Sequence, residues 1–146
     1  METGNYSLIR HIARIILGLF MVGAGIGHLT FLRQEFQAQV PQWLPGGPEF
    51  MDFIVVASGV VEILLGFSLI FLTRHRMAIG ITLAAFFILI FPGNIAQYVN
   101  GTDAFGLNTD TKRLARLFFQ PALIAWALWS TGAWSYLRKR FFNINR

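Results

Sequence analysis

Four long apolar stretches constrain this chain more than any other feature: Ile15 to Phe31, Phe53 to Leu72, Met77 to Tyr98 and Leu117 to Leu137. Each approaches the roughly 20 residues that a helix needs to cross about 30 Å of hydrocarbon. None shows the two-residue alternation of a membrane β-strand, so the stretches read as helices. Hydrophobic residues make up 55% of the chain and charged residues 13%, which is too apolar for a water-soluble domain of 146 residues. The expected fold is an all-α membrane protein, a four-helix transmembrane antiparallel bundle forming a single domain over residues 1–146. Its helices are expected at about 8–32, 50–72, 76–98 and 112–137.

Arg10 and Arg14 precede the first stretch in the manner of a secretory signal. The run continues past Gly27 to Phe31, however, and no other segment looks like a mature soluble domain, so a span is the better reading. Orientation follows from the basic residues. If the N-terminus, the Arg74-His75-Arg76 turn and the C-terminal tail share one side, that side holds eight of the 12 Lys and Arg, with Glu2 as its single acid. The other side has Arg33, Lys112, Arg113 and Arg116 set against Glu35, Glu49, Asp52, Asp103 and Asp110. The positive-inside rule then places both termini in the cytoplasm, and a bacterial cytoplasmic membrane is the expected location. The net charge of +5 belongs to this asymmetry and to anionic headgroups, which argues against a nucleic-acid partner. With no cysteine, the chain itself supplies no thiol relay, disulfide or Cys-ligated cluster.

Against this apolar background, the polar residues inside the spans stand out. Glu62 lies within SGVVEILLGF, nearest the expected midplane, where an ionisable side chain is costly and points to function. His28, Asn94 and Gln120 fall a few ångströms below the outer boundary, and Arg116 falls at the boundary. Helical side chains lean toward their own N-terminus, so Glu62 on a descending helix leans outward while His28 and Asn94 on ascending helices lean inward. A polar pocket of His28, Glu62, Asn94, Arg116 and Gln120 in the outer half of the bundle is the result. Gly18 and Gly25 share a face with His28, and Gly59 and Gly66 share one with Glu62, which allows close helix approach beside the polar groups. In the first outward loop, VPQWLPGGP forbids a continuous helix and presents Trp43 either as an interfacial anchor or as a lid over the pocket.

Six ordered segments carry a resemblance. Gly25-Ile-Gly-His28, VPQWLP at 40–45, SGVVEILLGFSLI at 58–70, TRHRMA at 73–78, FPGNIA at 91–96 and RLFFQPALIAW at 116–126 together resemble the DoxX-like family of small four-helix membrane proteins. The resemblance covers roughly residues 15 to 130 and implies that His28, Glu62, Asn94, Arg116 and Gln120 fall on recurrent polar positions. Leu29 stands where an aromatic is expected, and Gly93 where alanine is usual. Functions within that family are scattered. They include subunits of a thiosulfate:quinone oxidoreductase and members of membrane oxidoreductase complexes linked to oxidative or quinone stress, and a distant animal relative is an assembly chaperone for nicotinic receptors.

Residue chemistry weighs these options. His28 is the single intramembrane histidine, so the two facing axial ligands of a haem b are not supplied, and a lone His and Glu fall short of a dinuclear metal site. No haem or metal is expected. A quinone needs an apolar slot with a donor near each carbonyl, and His28, Asn94, Gln120 and the 15 phenylalanines can supply one. The leading expectation is a quinone-linked accessory subunit of a membrane oxidoreductase system, with another membrane protein or redox partner and no assigned catalytic residue. The alternative is a membrane-protein assembly factor without catalysis. A small transporter using Glu62 is less favoured, because no broken-helix pair or inverted repeat is evident.

Overall fold

The computed structural model describes residues 7–143, with side chains through Phe142. Among them there is no strand. The helices are α1 (Leu8–Leu29), α2 (Arg33–Gln37), α3 (Gly47–Phe71), α4 (Arg76–Val99), α5 (Asp110–Thr131) and α6 (Ala133–Asn143). A single 3₁₀ turn, Thr73–His75, separates α3 from α4. Three segments are long and apolar enough to cross a membrane: Leu8–Leu29, Gly47–Phe71 and Thr73–Val99. The fourth long helix, α5, is not among them: Asp110, Lys112, Arg113 and Arg116 charge its first two turns, and Gln120, Pro121, Ser130 and Thr131 lower the hydropathy of the remainder.

Local sequence explains the helix ends. Ser7 caps α1 by accepting from the Arg10 N–H, and Thr109 caps α5 by accepting from the Lys112 N–H. Pro48 opens α3 within its first turn, where its missing N–H removes no helical bond. The expected last helix, 112–137, is divided in two. Gly132 sits at φ 79°, a left-handed conformation that ends α5 with a bond from its N–H to Trp129 O, and a new helix starts at Ala133.

Two intimate helix pairs make up the bundle. Within the first, α1 and α3 cross at glycines on both sides. A Cβ at Gly25 would stand 2.5 Å from Gly59 O, one at Gly59 would stand 3.0 Å from Gly25 O, and Gly18 and Gly66 repeat the arrangement. Backbones meet where side chains are absent, as the sequence spacing predicts. In the second pair, α4 packs along α5 and the Gly80 backbone faces Thr131. Leu17, Met21, Leu69, Ile79, Leu83, Phe87 and Ala127 form the buried core joining the pairs. Trp126 Nε1 donates to Ala13 O at 3.1 Å, adding a polar tie between α5 and α1.

At the end bearing the 3₁₀ turn, Arg14 is fully buried. Its guanidinium donates to Leu69 O near the C-terminus of α3, and Nη2 also reaches His11 Nδ1 at 3.1 Å. A cation there complements the partial negative charge of the helix end. Sequence reading treats Arg14 only as a topological charge and gives no hint of this role.

Candidate functional site

The five polar residues expected to converge lie toward one end of the bundle, in two groups. The first group sits on α1 and α3. His28 Nε2 lies 3.2 Å from Glu62 Oε2, with both side chains buried. The other ring nitrogen, Nδ1, lies 3.2 Å from Val55 O. A carbonyl only accepts, so Nδ1 carries the proton in that bond. A neutral His28 therefore presents a bare Nε2 to Glu62, and a single proton between them defines either a carboxylic acid facing imidazole or a carboxylate facing imidazolium. Oε2 makes no other hydrogen bond, so His28 is its one polar neighbour among the described residues. The glycine crossing makes this contact possible: a Cβ at Gly59 would stand 2.7 Å from His28 Cβ.

The second group sits on α4 and α5. Asn94 Nδ2 donates to Gln120 Oε1 at 2.9 Å, and Gln120 Nε2 donates to Phe87 O at 2.8 Å. That carbonyl neighbours Ile88, whose own carbonyl loses its helical N–H because Pro92 has none. Arg116 Nε donates to Asn94 Oδ1 at 3.3 Å. Of the other four expected pocket residues, Glu62 meets His28. The two amides bond to each other instead, because α4 packs on α5 and α3 packs on α1.

Loop residues that sequence reasoning missed join the groups. Gln39 donates to Gln97 Oε1 at 2.6 Å and accepts from Arg116 Nη2 at 3.3 Å. Gln97 is itself buried, at 2% exposure, three residues from Asn94 on one helix face; that spacing was the available signal. Gly93 lets the Gln39 backbone approach, since a Cβ there would stand 3.0 Å from Gln39 O.

An aromatic column covers the site. Phe36 stacks on the His28 ring with centroids 3.3 Å apart, Phe105 meets Phe36 edge-on at 4.7 Å, and the Arg116 guanidinium lies 4.6 Å from the Phe105 centroid. Glu35 fixes this column by accepting from the Phe105 N–H at 2.6 Å, at the one non-glycine residue among those described with positive φ. Asp52 anchors α2 from below, accepting from Arg33 Nε at 2.7 Å and from Gln37 at 2.6 Å. That pairing holds the Arg33 guanidinium above its ordinary pKa. Trp43 is 72% exposed, and the rings over the cluster are those of Phe36 and Phe105.

Beside the second group, a cleft of about 430 Å³ lies between α1 and α5. Phe20, Leu107, Ala115, Phe119 and Leu123 give it an apolar lining, and Lys112, Arg116 and Gln120 are its polar members. Phe20 and Phe119 are exposed on the bundle surface, so the cleft opens sideways rather than along the bundle axis.

Among the described residues these features define an all-helical protein with three helices long and apolar enough to cross a membrane and a polar cluster beneath an aromatic cover. The chain belongs to the family described as Domain of unknown function (DUF8561), which it matches over residues 17–131. That span includes all five expected pocket residues. No curated protein and no solved structure matches the chain.

Proposed function

We propose that this protein is a quinone-linked accessory subunit of a membrane oxidoreductase system, resembling DoxX-like proteins, with four spans and both termini on the cytoplasmic side of a bacterial membrane. The observation that carries the reading is the sideways cleft, with its apolar and aromatic walls and with Arg116 and Gln120 at its polar end. Ligand sites of this kind combine apolar lining with a few placed polar groups. Arg116 and Gln120 would hold the ring oxygens, and Phe20, Phe119 and Leu123 would pack against the ring and tail. When bound, a quinone supplies two-electron, two-proton redox chemistry. The chain's own contribution is to position it, to exclude water with the Phe36–Phe105 cover, and to hold one proton between His28 and Glu62.

Treating α5 as the fourth span draws support from its 22 residues, its packing along α4 and α1, and the burial of Gln120 and Arg113. A second reading, an assembly factor that docks another protein's helices, draws on the stripe of Phe53, Val60, Leu64, Phe67 and Phe71 exposed along α3. The discriminating experiment is extraction of the protein from its native membrane in polymer discs, followed by quantification of quinone and protein partners. Quinone enriched over the bulk lipid ratio, and lost on Gln120→Leu, supports the first reading. Quinone at the bulk ratio overturns it, and a stoichiometric protein partner then favours the second.

A further inference from the structure

We infer that the α1–α5 cleft selects a lipophilic anion, an apolar body bearing one negative oxygen, over a neutral molecule of the same size; the inference deepens the quinone reading and rests on it for the body of the ligand. The argument is one of charge accounting at the cleft's end of the bundle. Arg33 pairs with Asp52, and Arg113 pairs with both Asp103 and Asp110. Glu35 is engaged by the Phe105 N–H. Arg116 and Lys112, by contrast, line the cleft without a carboxylate at ion-pair distance among the described residues.

The partners of Arg116 are all neutral: Asn94 Oδ1, Gln39 Oε1 and the Phe105 ring. Neither bond uses Nη1, which leaves part of the guanidinium fork for a ligand. Lys112 donates to Asn108 Oδ1 at 3.0 Å, also a neutral acceptor. The two cations are four residues apart on one helix face and border the same apolar walls. A half-buried cation with no counter-ion, in a slot shaped for an apolar body, is complementary to a ligand that brings the missing charge. A deprotonated hydroxyquinone has this chemistry, and so does a fatty acid.

The test uses the full-length protein in discs of zwitterionic lipid, with empty discs subtracted to remove partitioning. Three probes are titrated at mildly alkaline pH: an alkylated hydroxynaphthoquinone whose hydroxyl is ionised, its neutral methoxy counterpart, and decanoate. The hydroxy compound should bind about tenfold or more tightly than the methoxy compound, the order expected for one ion pair at reduced dielectric. Arg116→Gln should erase that preference, Arg116→Lys should keep most of it, and Lys112→Gln should diminish it. Because Lys112 is exposed, the last variant stays informative even if Arg116→Gln disturbs the amide network. Equal binding of the two quinones, or a preference that survives both Gln variants, overturns the inference while leaving the quinone reading in place. Binding of decanoate with the same Arg116 dependence, and of neither quinone, keeps the anion site and removes the quinone.

Discussion

Gly25 and Gly59 set how closely the first two long helices approach, because the backbone of each occupies the space that a Cβ on the other would need. With Gly59 O 2.5 Å from an ideal Cβ on Gly25, alanine at residue 25 has nowhere to go without separating α1 from α3. Both Gly25→Ala and Gly59→Ala should destabilise the protein by about 1–3 kcal/mol, the usual cost of overpacking. Gly23→Ala, which meets nothing within 4 Å, should be tolerated. Thermal unfolding in one detergent checks all three. Equal stability of Gly25→Ala and Gly23→Ala would show that the close crossing contributes little.

The His28 tautomer makes a sharper prediction. With Nδ1 donating to Val55 O, a neutral imidazole offers Nε2 as an acceptor, and a glutamine amide at residue 62 can donate to it. Glu62→Gln should therefore unfold within about 1 kcal/mol of the parent, whereas Glu62→Ala, which strands Nε2, should lose about 1–3 kcal/mol. His28→Ala and Glu62→Ala should be non-additive in a double-mutant cycle. If Glu62→Gln is as damaging as Glu62→Ala, the pair is held as imidazolium and carboxylate instead.

One bond ties the loop at 100–109 to α2. Glu35 accepts from the Phe105 N–H and so holds the ring that bridges Phe36 and Arg116. Glu35→Gln weakens a charge-assisted bond, and Glu35→Ala removes it. Hydrogen exchange across residues 100–109 should quicken by about tenfold in Glu35→Ala, equivalent to losing ~1.4 kcal/mol of local protection, with little change in α1 and α3. Unchanged exchange there would mean that the loop is held by other contacts.

Helix existence and the inward turn of His28, Glu62, Asn94 and Gln120 were legible in the sequence, because hydrophobic length and helical spacing are local properties. Two kinds of information were not. Pairing of the four helices decides which polar residues meet, so the expected single cluster is divided between α1–α3 and α4–α5. The short α2 and the loops are placed by tertiary contact rather than by period, which hid Phe36, Gln39 and Phe105 behind the more conspicuous Trp43. The break at Gly132 had an available signal, a glycine just past the last apolar turn, outweighed by the run of tryptophans on either side.

The proposed topology, with both termini cytoplasmic, separates three spans from four. A reporter fused after Arg146 should be cytoplasmic, and one inserted near Gly106 should be external. If the C-terminal reporter is external while the N-terminus is cytoplasmic, α5 does not cross.

The central claim is that the cleft between α1 and α5 holds a quinone. A short-chain photoreactive quinone, illuminated with the protein in lipid discs and mapped by peptide mass spectrometry, tests this most directly. Labels should concentrate on Phe20 and on residues 112–123 and should be competed by excess unmodified quinone. Labels spread evenly over the exposed apolar residues of α1, α3 and α4, or insensitive to competitor, would contradict the account.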